Sequence, residues 1–124
     1  MKKLLILSLC LSLGACSTLA PIIGLATTNV TPTDVFIASN AFDAIEAGGT
    51  AFLTYCHANK DIPAICSTTN RRNVIQYGRA GRAARNQAET YVQTSTSIPA
   101  AVYNAMVTAT ANLKTTPATD YIGK

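Results

Sequence analysis

The chain has 124 residues, 48% of them hydrophobic and only 13% charged, with a formal net charge of +4. That length holds one domain rather than two. The apolar content excludes wholesale disorder, which needs low hydrophobicity and high charge. Without Lys2 and Lys3 the remainder carries eight basic and six acidic residues, a balance of +2 that is weak for a general nucleic-acid binder.

The chain opens MKKLLILSLCLSLGAC. Lys2 and Lys3 form a positive n-region, Leu4 to Leu13 an apolar h-region, and Gly14 and Ala15 are small. This is the layout of a secretory signal. Leu13-Gly14-Ala15-Cys16 resembles the lipobox of bacterial lipoproteins, with Cys16 standing where the mature chain begins. The resemblance covers residues 1–17 and implies that Cys16 takes a diacylglycerol, is exposed by cleavage and is then N-acylated. A cysteine carrying several acyl chains holds a protein on a bilayer stably, whereas one chain binds marginally. Ser17, not Asp, follows Cys16. By the same resemblance that implies an outer-membrane protein facing the periplasm, the alternative being the inner membrane.

Ordinary signal-peptidase cleavage fits poorly, because it meets Leu13 three residues before Cys16, or Pro21 just past Ala20. An uncleaved anchor is the stronger rival. No charge occurs between Lys3 and Asp34, and residues 4–26 are long enough to span a bilayer. Gly14, Pro21 and Gly24 count against it. In each case Lys2 and Lys3 stay inside and the body lies outside the cytoplasm.

Residues 17–30 carry no charge and no strict period, and read with Cys16 as a tether over 16–30. The first helix signal is Thr31-Pro32-Thr33-Asp34, which supplies an N-cap, a proline at the first helical position and an acid in the first turn. A first helix is expected over about 32–56. Its seam is Val35, Ala38, Phe42, Ile45, Gly49, Phe52 and Cys56, at spacings of three and four. Gly48-Gly49 points to close approach of another backbone, or to a kink.

Cys10 falls in the h-region and Cys16 is the expected lipid site, leaving Cys56 and Cys66. An even pair in an oxidising compartment is expected to form a disulfide. Closing so short a loop stabilises by about 2.8 kcal/mol through loop entropy. A metal reading with Cys56, His57 and Cys66 lacks a fourth ligand and a zinc spacing.

Ser67 to Asn70 offer N-caps for a second helix over about 68–93, with Val74, Tyr77, Gly81, Ala84, Ala88 and Tyr91 as its seam. Thr94 to Ser97 break the pattern. Pro99 opens a third helix over about 99–114, with Val102, Met106, Ala109 and Leu113 on one face. Residues 117–124 read as a flexible tail. The fold class is therefore all-α: a signal peptide over 1–15, the tether, and a three-helix domain over 31–116 built on a disulfide-closed antiparallel hairpin. In that hairpin Phe42 is expected to face Gly81, Gly49 to face Val74, Ile45 to face Tyr77 and Gly78, Ala38 to face Ala84, and Val35 to face Ala88. The seams are rich in Ala and Gly, so the core is thin, and self-association is one way to complete it.

Arg71, Arg72, Arg79, Arg82 and Arg85 fall within ~140° of one flank of the second helix. They read either as a stripe for anionic membrane or envelope polymer, or as a solvated face paired with the acids of the first helix. In the expected register Asp43 and Glu46 come alongside Arg79. No aromatics interleave with the stripe, as nucleic-acid binding would want. His57 is the one histidine, and no paired carboxylates, Ser-His-Asp order, zinc motif or phosphate loop appears. The residues therefore point to a non-enzymatic protein without a cofactor. Three functional readings stand: a structural or protein-interaction lipoprotein, a binder of anionic surface through the arginines, and a phage- or prophage-encoded envelope lipoprotein.

Overall fold

The computed structural model describes residues 30–60, 62, 64–94 and 97–123. Cys16, with the expected signal peptide and most of the tether, lies outside the described residues, as do Asp61 and Pro63. Among the described residues the fold is all-helical and has no strand. Its elements are α1 (Pro32–Ala58), α2 (Thr68–Gln93), α3 (Ala100–Lys114) and a terminal 3₁₀ helix (Pro117–Tyr121).

α1 starts where its cap predicts. The Thr31 backbone N–H donates to Asp34 Oδ2 at 2.8 Å, and the Asp34 N–H donates back to Thr31 Oγ1 at 3.2 Å. This reciprocal pair satisfies two donors that a helix start leaves open. The Thr31 hydroxyl also donates to Asp34 Oδ2 at 2.6 Å, and together these bonds hold the Asp34 carboxyl below its usual range. Every member of the α1 seam is buried: Val35, Ala38, Phe42, Ile45, Gly49, Phe52 and Cys56. On α2 the buried positions are Val74, Gly78, Gly81, Ala84 and Ala88, flanked by half-buried Tyr77 and Tyr91. α3 buries Met106, Ala109 and Leu113 as its spacing predicts, while Val102 of the same expected face is half-buried, and it buries Tyr103, Val107 and Thr110 besides. The wider buried face follows from α3 touching both α1 and α2. Burying side chains as large as Phe42, Phe52, Met106 and Leu113 stabilises by about 1.5–3 kcal/mol each.

Two expectations need correction. The tail is not a frayed end: Thr116 Oγ1 caps the 3₁₀ helix by accepting from the Ala118 N–H at 3.3 Å, Ala118 is fully buried, and the helix packs on α1. The reason is Gly48. A β-carbon there would lie 2.8 Å from Ile122 Cγ1 and closer still to the Ala118 carbonyl oxygen. Only a glycine admits the tail backbone at that distance. Tyr121 then closes the seam, its ring 5.6 Å from Phe52 and 5.2 Å from Tyr55. The second correction concerns Val30, expected as the last tether residue. It is buried and forms an isolated antiparallel bridge with Ile98, itself buried, so the body begins one residue before the α1 cap.

Contacts between α1 and α2 run in opposite chain order. Phe42 meets Gly81 and Gly49 meets Val74, as the seams predict. The sulfurs of Cys56 and Cys66 stand at bonding distance, with their Cα atoms 5.2 Å apart. Ser67 caps α2 by accepting from the Asn70 N–H at 3.1 Å, and the Asn70 amide donates to the Ile65 carbonyl at 2.8 Å. The Cys66 N–H donates to the Ile62 carbonyl at 3.0 Å. These bonds tie Ile62 and Ile65 to the residues that open α2.

Candidate functional site

The five arginines of α2 do not form one stripe. Arg82 pairs with Glu46, and Arg85 with Asp43. Arg85 Nε lies a further 3.6 Å from Glu89, one turn along α2. Two of the five are therefore answered within the fold. The expected partner of Asp43 and Glu46 was Arg79, and the structure moves the pairing to Arg82 and Arg85. The cause is side-chain direction. Helical side chains lean toward their own N-terminus. With contacts in opposite chain order, the two leans add, so long pairs meet about a turn away from the Cα register. Phe42–Gly81 and Gly49–Val74 involve short reaches and keep it. Such exposed pairs contribute typically under ~1 kcal/mol.

Arg71 and Arg72 are different. They line an open cleft of about 470 Å³ where α1 ends and α2 begins, together with His57 and Lys60. Leu53 and Ile75 supply its apolar walls. Among the described lining residues there is no carboxylate. Arg71 Nε, like Arg85 Nε, is buried and has no hydrogen-bond partner among the described residues, but Arg85 has its ion pairs and Arg71 has none among those residues. The backbone adds to the charge: the first turn of α2 has no acidic residue, and a helix N-terminus carries about half a positive charge. Basic side chains at that end are disfavoured within the chain, and an anion would relieve them.

Arg79 takes a third position, in a smaller groove between α1 and α2 beside Glu46, Gly49 and Gly78. Residue type and spacing give Lys60 no role and His57 only that of a metal ligand. The sulfurs of Cys56 and Cys66 stand at bonding distance from each other, an arrangement that suits a disulfide rather than two thiolate ligands. The available signal for the cleft was charge alone: His57 and Lys60 lie just before the loop closes, Arg71 and Arg72 just after. Three of the exposed large apolar residues, Ile62, Ile65 and Ile75, belong to the same end of the molecule. Among the described residues no helix is long and apolar enough to cross a membrane. No protein-family pattern, curated protein or solved structure matches the chain, so its functional reading rests on its own chemistry.

Proposed function

We propose that the chain is a small lipid-anchored protein of the bacterial cell envelope with a structural or protein-interaction role. Its body, on this reading, is a disulfide-closed antiparallel helical hairpin completed by a third helix and the packed tail. The observation that carries the proposal is the ordered run of n-region, h-region and Leu13-Gly14-Ala15-Cys16. The disulfide-distance pair supports it, because such bonds persist in oxidising compartments. Outer-membrane placement, facing the periplasm, follows from Ser17 by the same resemblance. Metabolic palmitate labelling tests the anchor. The wild type takes up label and stays with membranes, and Cys16→Ser abolishes both. An unlabelled wild type of full-length mass would replace the lipid with an uncleaved N-terminal segment.

A second reading, binding of anionic surface, is favoured by one specific observation. Arg71 and Arg72 face a cleft without a described carboxylate, whereas Arg82 and Arg85 are paired. Any such binding therefore belongs to one end of α2 rather than to its whole flank.

A further inference from the structure

We infer that the disulfide end of the molecule is a second membrane contact, which docks on the phosphate layer of an anionic bilayer and places isoleucines into its interface. The inference rests on the anchored reading for its geometry, because the tether must bring this end to a bilayer.

Two chemistries coincide there. His57, Lys60, Arg71 and Arg72 gather at the positive end of α2, with no carboxylate among the described lining residues. Ile75 of the same cleft is 39% exposed, and Ile62 and Ile65, at the same end of the molecule, are 36% and 41% exposed. A soluble phosphate would be served by the cations alone and would leave the isoleucines in water. An anionic bilayer answers both, since basic side chains meet the phosphates while apolar ones enter the headgroup boundary. The cleft walls fit this division. Leu53 and exposed Ile75 line the same cleft as the cations, so long basic side chains can run their stems along apolar surface and hold their charge at the interface. Ile62 and Ile65 are also held near the start of α2, because the Cys66 N–H donates to the Ile62 carbonyl and the Asn70 amide to the Ile65 carbonyl.

Distance does not prevent contact with the anchoring bilayer. α1 has 27 residues and spans about 40 Å at 1.5 Å per residue. The chain from Cys16 to the start of the body can reach about 45–50 Å when extended, at ~3.3–3.6 Å per residue. The disulfide end can therefore lie down on the membrane that holds Cys16.

The chain contains no Trp, so Ile65→Trp gives a single indole reporter. The full chain carrying it is reconstituted into vesicles of phosphatidylcholine alone, or with phosphatidylglycerol added. The expected result is a blue-shifted emission, quenched by brominated acyl chains, in the phosphatidylglycerol vesicles only and reversed by raised salt. Adding Arg71→Glu and Arg72→Glu should lower the docked-to-undocked ratio at least about 30-fold, since each basic residue near an anionic surface is worth roughly five-fold. Arg79→Glu, outside the cleft, should leave it within about two-fold on the same scale. Unchanged helical circular dichroism in each variant establishes that folding is intact. Emission that is equal in the two vesicle types overturns the inference, as does a shift that survives the Arg71 and Arg72 changes. Reversal by millimolar inorganic phosphate at constant ionic strength would also overturn it, in favour of a free-phosphate site. Extraction of the chain from neutral vesicles by alkaline carbonate would instead overturn the anchored reading. A firmly anchored chain without a phosphatidylglycerol-dependent shift defeats the docking alone.

Discussion

Gly78 and Gly81 lie one helical turn apart on α2, are both buried, and are predicted to respond to the same substitution with different signs. A β-carbon at Gly81 would stand 2.6 Å from Phe42 Cζ and 2.7 Å from Cδ2, and closer still to Cε2. Phe42 is fully buried, so its ring has no solvent to move into. Overpacking of this kind costs about 1–3 kcal/mol. At Gly78 the nearest atom is Glu46 Oε1, at 3.9 Å, an ordinary contact. Both substitutions gain the helix propensity of alanine over glycine, about 1 kcal/mol, so that contribution cancels between them. Gly78→Ala should raise stability by up to about 1 kcal/mol. Gly81→Ala should fall below Gly78→Ala by about 1–3 kcal/mol, the overpacking cost. For a domain of this size each kcal/mol moves the melting midpoint by roughly 4–8 °C. Thermal unfolding followed by circular dichroism therefore resolves the pair. Phe42→Ala should recover part of the loss at Gly81→Leu, because residues in contact are not additive. If Gly78→Ala and Gly81→Ala raise the midpoint equally, the Phe42–Gly81 contact is wrong and with it the α1–α2 register.

Two other outcomes follow from the ends of the helices. Folded protein purified from an oxidising compartment should show no maleimide-reactive thiol at Cys56 or Cys66, and reduction should lower stability by about 2–4 kcal/mol while leaving helicity in place; an unchanged melting curve would refute a stabilising bond. Asp34 is held below its ordinary range in the folded state, first by the Thr31 hydroxyl and then by the Thr31 N–H, so it binds a proton more readily when unfolded. Its contribution is present above the unfolded carboxylate value and is lost as pH falls through the depressed folded one. Acid melts should therefore be less steep for Asp34→Asn than for the wild type in that window, and superimposable curves would count against the capping box.

The helices were legible because their signals are local. Thr31, Pro32 and Asp34 lie within one turn, and the α1 seam repeats without interruption from Val35 to Cys56, so neither needs knowledge of the rest of the chain. The Phe42–Gly81 and Gly49–Val74 contacts were legible for another reason: large side chains opposite small ones narrow the registers that two seams can share. What the sequence hid depends on direction and distance instead. The lean of long side chains moves Asp43 and Glu46 from Arg79 to Arg85 and Arg82, and a pattern of letters at spacings of three and four does not carry that displacement. Gly48 announced a close backbone without saying whose. The answer lies some seventy residues away, in a tail whose composition resembles a frayed end, because its docking relies on backbone approach at Ala118 and on one ring at Tyr121 rather than on an apolar stripe. The basic cleft was hidden in the same way. His57 and Lys60 look like ordinary loop residues, and Arg71 and Arg72 like part of a longer stripe. Closing Cys56 onto Cys66 brings the four together, and the ion pairs of Arg82 and Arg85 separate them from the rest of that stripe. The feature that sets the cleft apart is therefore a difference in partners between residues of the same type on the same helix, and only the packed fold supplies it.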